Sequence, residues 1–569
     1  MSPRMSPRRP TSFRQNALPR VLALGLSAGL SLLSLPGHAQ RVIVPSSNSG
    51  VQTTGGPSSE SGQFIGDLGA PAPEVAANPG KPGDTPPPAA DTAWPPAPRE
   101  PVSADGCSKP LTGSGTTYHV GPGQTLTELT DVPWLSLRAG DVVNIYHRAE
   151  PYRTKIGLRA QGTADAPVVI HGVTDTKCNR PVLSGQNAVT ARDAAAAGFF
   201  SKQYSEALGL IFIYKSRDQA WGSRPKHIRI ENLRITGAHK DSRYTAQDGS
   251  TGNFSSGAAG IYAIVVEDLA IENCEITRNG NGVFVNSKSE DEASRNVFIR
   301  HNRIWDNGNV GSWFEHNLYV QTARALYEGN YIGQLVPGAK GSSMKDRSSA
   351  TVVRFNHIVA AARAIDLVEI EGGVKQILKD PLYPQAWVYG NLIVNDFRNP
   401  GYASVKLIHW GGDNDERYFR QGTLHFYNNT VLHNSTQAQA WYMALFDMPT
   451  AQQKVDAQSN LFINQGTTQM RIGHEAGTIE FNGNNWISRD WAEAAPTSQV
   501  KVAVKGKLLS QPAPGIAADL HPRAGAAGTD LADNAAGLPP VAYQFAEPAG
   551  IVKRPVAGRA PDLGAFELK

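Results

Sequence analysis

Between residues 226 and 490 one short pattern returns nine times: an alternating strand-like run, an Asn, and an aliphatic residue within the next three positions. The marked residues are Asn232, Asn273, Asn302, Asn330, Asn356, Asn391, Asn429, Asn460 and Asn485, at steps of 25 to 41 residues. Steps of 25–31 suit one coil of three short strands and three turns, and longer steps imply loops inserted at a turn. A coil this small cannot bury its apolar residues alone, so each must stack on its neighbours. Period-2 alternation sends aliphatic side chains inward and polar ones outward. Asn tolerates left-handed turns and can bond the next coil's backbone, which suits one corner of every coil. The pattern therefore predicts an all-β, right-handed parallel β-helix. Helical periodicity is missing here, and so is the four-strand unit of a propeller.

The rest of the chain divides around this repeat. Residues 1–39 hold five Arg and no acidic residue, then an apolar stretch from Val21 to Leu35, then small residues at Gly37 and Ala39, and read as a signal peptide. Residues 40–106 are rich in Pro, Gly, Ser and Ala and are expected to be a disordered linker. The β-helix domain is expected over 107–569: an N-terminal cap (107–225), repeat coils (226–490) and a C-terminal cap (491–569). Asp562-Leu-Gly-Ala-Phe-Glu567 is expected as a last strand over the open end.

Charge narrows the partners. Removing the five leader Arg from 54 basic residues leaves 49 against 50 acidic ones, a net charge of −1. Nothing in that balance calls for nucleic acid. No segment after the leader is apolar for long enough to span a membrane, so a secreted monomer is expected, periplasmic or extracellular. Of the three cysteines, Cys107 and Cys178 are candidates for a disulfide at the start of the fold, and Cys274 reads as a buried thiol.

The repeat and the closing Asp562–Glu567 stretch resemble the pectin-lyase-like β-helix superfamily. Glu315-His316-Asn317-Leu318-Tyr319-Val320, with Met344-Lys345-Asp346-Arg347-Ser348-Ser349 and Val353-Arg354-Phe355-Asn356, resembles a narrower group of secreted bacterial right-handed β-helix repeat proteins. Asp346 stands where that group usually has Ser. A Lys-bearing strand before an Asn corner is similar to alginate and chondroitin-type polysaccharide lyases of this fold, in which a Lys acts as base. The resemblance implies a linear polysaccharide, uronate-containing, as partner.

One flat face of a parallel coil stacks outward side chains about 4.8 Å apart, which suits a linear polymer. The outward candidates are Tyr319 with Gln321, Lys345 with Arg347, Asp366, and His409 with Trp410. β-Elimination needs a cation for the uronate carboxylate, a base for the C5 proton and an acid for the leaving oxygen. Arg347 suits the first, Lys345 the second if Arg347 lowers its pKa, and Tyr319 or His316 the third. Gln321, His409, Trp410 and Glu369 are candidate substrate contacts. Hydrolysis would instead use two carboxylates about 5–9.5 Å apart, drawn from Asp366, Glu369, Glu371, Asp413 and Asp415. A third reading is a non-catalytic binding surface. Asp413, Asp415 and Glu416 form an oxygen-rich group that could take Ca²⁺; no other cofactor is expected.

Overall fold

Three parallel sheets wind into a right-handed β-helix. The first has 13 strands, from Thr117–Val120 to Lys501–Val504. The second has 11, from Ile156–Leu158 to Trp491–Ala494, and the third has 11, from Val182–Ser184 to Lys507–Leu509. This computed structural model describes residues 94–101 and 107–568, apart from 202–204, 289–290, 373, 398, 401, 490, 511–514, 518–519, 524, 527 and 534–536. The expected signal peptide and residues 40–93 of the expected linker lie outside the described residues. All described residues fall in one unit, Thr53–Lys569.

A coil runs from first sheet to third to second: Glu267–Glu272, then Glu275–Thr277, then Asn281–Asn286, and on to Arg295–Arg300 in the next coil. Alternation fills the interior as expected. One inward stack of the first sheet reads Ile230, Ile271, Ile299, Tyr327, Val353, Val388, Phe426, Ala457 and Phe481. The third sheet stacks Ile235, Ile276, Ile304, Ile332, Ile358, Ile393, Val431, Phe462 and Ile487. All of these are buried. They bury together only when coils stack, so each coil owes its stability to its neighbours.

The Asn corner does two jobs, and two residues share them. From Asn302 through Asn330, Asn356, Asn391, Asn429 and Asn460 to Asn485, each side-chain Nδ2 donates to the next Asn Oδ1, at 2.9–3.2 Å. The left-handed φ belongs to the residue before the ladder: His301, Gly329, Phe355, Gly390, Asn428 and Ser459. Asn232 and Asn273 occupy that left-handed position, with φ of 60° and 50°. In their coils the ladder place falls to Leu233 and Cys274. The Cys274 backbone N–H donates to Asn302 Oδ1 (2.8 Å), and its buried thiol contacts the Glu272 carbonyl at 3.4 Å.

Both ends differ from expectation. Residues 94–101 lie along the outer face of the first sheet instead of belonging to a loose linker. Trp94 Nε1 donates to the Ala350 carbonyl (2.8 Å), Arg354 to the Pro96 carbonyl (2.8 Å), and the Arg99 carbonyl bonds His301 at 2.7 Å. Cys107 and Cys178 are joined by a disulfide. Asp562–Glu567 forms no strand over the open end. It packs on the outer wall of the third sheet, where Leu563 meets Leu432, Leu461 and Trp486 and the Ala565 N–H reaches Thr430 Oγ1 at 2.9 Å. Outward residues there are apolar and need a cover. The last edge carries Lys501, Lys505 and Lys507, charges that discourage edge-to-edge pairing.

Candidate active site

The second sheet carries one outward row through nine strands. Register pairs place Phe212, Tyr262, Phe284, Tyr319, Lys345, Asp366, His409, Asp447 and His474 side by side. The row changes chemistry once, between Tyr319 and Lys345. Before that point the rings stack: Tyr262 on Phe284 at 4.5 Å and Phe284 on Tyr319 at 4.8 Å between centroids. Phe199 and Phe200 pack against this aromatic group.

Beyond that point every residue is ionisable. Lys345 Nζ lies 2.6 Å from Asp413 Oδ2 and 3.4 Å from Asp366 Oδ2. Asp366 Oδ1 bonds His409 Nδ1 at 2.7 Å, and Oδ2 accepts from Ser342 Oγ at 3.1 Å. Asp447 Oδ1 repeats the arrangement with His474 Nδ1, also at 2.7 Å. Arg363 lies 3.7 Å from Asp366 and 3.6 Å from Asp447, and Lys406 lies 3.3 Å from both Asp447 and Glu475. Burial alone would push Asp366, Asp413 and Asp447 up. Lys345 and Arg363 with His409 hold Asp366 well below the usual carboxylate range. Arg347 and Lys345 do so for Asp413, and His474, His409, Lys406 and Arg363 for Asp447. The row therefore presents anions locked to cations, with each imidazole fixed through Nδ1 so that Nε2 points away from its carboxylate.

Six expected roles change in the structure. Arg347 is fully buried and already engaged: it donates to Tyr319 Oη (3.0 Å), the Glu369 carbonyl (2.7 Å) and Asp413 (3.2 Å), and pairs with Glu371 at 3.3 Å. Four of its five N–H groups are thus engaged, and Nη1 also faces Glu369 Oε2 at 3.6 Å, so the group is committed to the protein and not to a substrate carboxylate. Glu369 is buried and accepts the backbone N–H groups of Asp413, Asn414 and Asp415, each at 2.8 Å. It is the anchor of that loop, not a substrate contact. Gln321 is buried, donating to Asn286 and accepting from the Glu371 N–H. Trp410 points into the coil, because alternation sends it opposite to its outward neighbour His409. The Tyr319 hydroxyl is buried against Arg347, and burial pushes its pKa well up. His316 Nδ1 accepts from the Ser342 N–H (2.9 Å), and burial, helped by Lys345, lowers it to about 3, so it is a neutral packing residue.

The expected calcium group also comes apart. Asp413 turns to Lys345 and Arg347, Asp415 is held by Arg417 at 2.5 Å, and Glu416 is exposed. Among the described residues, Asp447, His474 and Glu475 converge within 4.8 Å as possible metal ligands. The Lys406 ammonium, 3.3 Å from both carboxylates, already supplies the cation there. Asp346 points inward, where its carboxylate meets Tyr327 Oη (2.7 Å) and buried Arg420 (3.0 Å).

The sequence reading missed Asp447, His474, Arg363, Lys406 and Glu475. Period-2 alternation was the available signal, but inserts of unequal length hide which strands share a rung.

Residues 213–375 match the family model described as a right handed beta helix region. Among solved structures, the chain is similar to an alginate lyase from Paenibacillus sp. str. FPU-7 at 13% identity and a TM-score of 0.30. That likeness covers 66% of this chain and 93% of the other. It is also similar to a GH136 lacto-N-biosidase from Eubacterium ramulus, at 12% identity and a TM-score of 0.36, covering 70% of this chain and 67% of the other. No curated protein sequence matches the chain. Among the described residues, no helix is long and apolar enough to cross a membrane.

Proposed function

We propose that this is a secreted enzyme that cleaves a linear, uronate-containing polysaccharide by β-elimination, at the ionisable end of the outward row. The observation that carries this reading is the pairing of His409 with Asp366 one rung from Lys345. Asp366 keeps the His409 proton on Nδ1, which leaves Nε2 as a proton acceptor. In the proposed step His409 Nε2 takes the C5 proton, the C4–O bond breaks as the C4–C5 double bond forms, and Lys345 gives a proton to the leaving oxygen. The base role thus moves from Lys345, held between two carboxylates, to His409.

Two-carboxylate hydrolysis is less well supported. It needs one carboxyl that carries a proton, and Asp366, Asp413 and Asp447 are all held ionised. Burial does raise Glu369, but its oxygens face the backbone of its own loop.

Incubating the mature protein with a panel of uronate polymers tests the reading. New ultraviolet absorbance from unsaturated chain ends is the expected result. New reducing ends without that absorbance mean hydrolysis. Retention on a polysaccharide gel with no product means a binding protein. Either of the last two results overturns the proposal.

A further inference from the structure

We propose that Arg363 receives the carboxylate of the bound uronate and holds it over His409; this rests on the elimination reading. The argument starts from rung order. Asp366, His409 and Asp447 sit on three successive strands of the row. The Arg363 guanidinium contacts the first carboxylate through Nη1 and the third through Nη2. It therefore bridges the His409 rung, beside the imidazole that takes the C5 proton. In a uronate the carboxylate is bonded to C5, so an anion held there brings the reacting C–H to the base.

Arg363 also differs from the buried guanidiniums in how it is held. Arg347, Arg354, Arg420 and Arg554 each donate at 2.6–3.3 Å to side-chain or carbonyl oxygens. Arg363 makes no side-chain hydrogen bond among the described residues, only the two ion-pair contacts at 3.6 and 3.7 Å. Its side chain retains 16% exposure, against 0% for Arg347. A planar fork with unspent donors is the group that binds a carboxylate through two parallel bonds. Turning it toward a ligand strands neither neighbour. Asp366 keeps Lys345, Ser342 and His409, and Asp447 keeps Lys406 and His474.

The test is equilibrium binding by calorimetry, using uronate oligosaccharides and the same oligosaccharides with their carboxyl groups reduced to alcohols. The full mature chain carries His409→Asn to stop turnover, with or without Arg363→Ala or Arg363→Lys. The parent should prefer the charged ligand by about tenfold or more, and Arg363→Ala should erase that preference. Arg363→Lys should keep part of it, since Lys offers charge without the fork. Arg363→Gln takes the place of Arg363→Ala should the alanine variant not fold. An unchanged preference in the neutral variants overturns the inference, as does a parent that binds both ligands equally. The two proposals fail separately. A wild-type protein that binds uronate through Arg363 but leaves no unsaturated ends retains the anchor and loses the elimination.

Discussion

The outward row of the second sheet is two regions built on one backbone. From Phe212 to Tyr319 its side chains are aromatic, stacked from Tyr262 onward, and packed against Phe199 and Phe200. From Lys345 to His474 they are ionisable, paired rung to rung. Strand direction and register are the same in both halves, so the scaffold does not choose the chemistry. In the first half the stacking interval lets rings meet face to face and adds to the core. In the second it sets opposite charges near contact distance in a dry place, where each interaction is stronger than in water. A parallel coil can thus place a stabilising stack and an ionisable cluster next to one another with no change of fold.

The sharpest way to separate the halves is to mutate one residue in each. His409→Asn should lower turnover of a uronate polymer by about 10²- to 10⁴-fold. The thermal midpoint should hardly move, because Asp366 keeps Lys345 and Arg363. Initial rates and a melting curve on the same preparation decide this, and a retained rate removes His409 from the chemistry. Phe284→Ala is the counterpart. It removes a ring packed between Tyr262 and Tyr319 and should cost about 3–5 kcal/mol of stability. The molecules that remain folded should keep their rate. Urea unfolding monitored alongside activity checks both statements. Lys345→Ala is a poorer probe, because it leaves the carboxylates of Asp366 and Asp413 without their shared cation, and its stability loss would mix with any catalytic one.

A third test uses pH. His316 packs beside Tyr319, where the two halves meet, with ring centroids 5.8 Å apart. Burial, then the charge of Lys345, lowers its pKa from 6.5 to about 3. The unfolded chain takes up this proton below about 6.5 and the folded one does not. Stability is therefore complete above that pH and falls as the pH drops toward 3. Across that window the group should contribute a loss of about 1.4 kcal/mol per pH unit. His316→Asn removes the titration, so the urea midpoints of variant and wild type should converge between pH 7 and pH 4.5. A gap that stays constant would mean that His316 is charged in the fold.

Much of this arrangement was legible in the sequence. The Asn marks gave the coil, and short strands of clear alternation placed Tyr319, Lys345, Asp366 and His409 on one face. Pairs of neighbours were less safe: period two admits only one of His409 and Trp410 to the outer face, and the aromatic one went inside. Arg347 and Glu369 look like substrate contacts in a linear reading because their partners, the residues of 413–415, come from the next coil for Glu369 and from two coils on for Arg347. Asp447 and His474 lie on strands separated by loops of unequal length, so no fixed offset from an Asn points to them. The two early corners failed for a related reason. A ladder Asn and a left-handed Asn differ by one position, and it takes the backbone φ and the cross-coil bond of Cys274 to Asn302 to tell them apart.

Tyr319→Phe gives the smallest effect and bears most directly on where the two halves meet. Tyr319 belongs to the aromatic stack by its ring and touches the charged half by its hydroxyl, 3.0 Å from Arg347 Nε. If the hydroxyl is only structural, accepting from Arg347 and donating to Glu371, its removal costs about 0.5–1.5 kcal/mol. Arg347 keeps the Glu369 carbonyl, Glu371 and Asp413, so the guanidinium is not stranded. The rate should then hold within about twofold, since the general-acid contribution that would be lost is on the order of 10²-fold or more. A large loss of rate with little change in melting would return Tyr319 to the reaction as its acid. The reactive region would then begin one strand earlier, inside the aromatic stack.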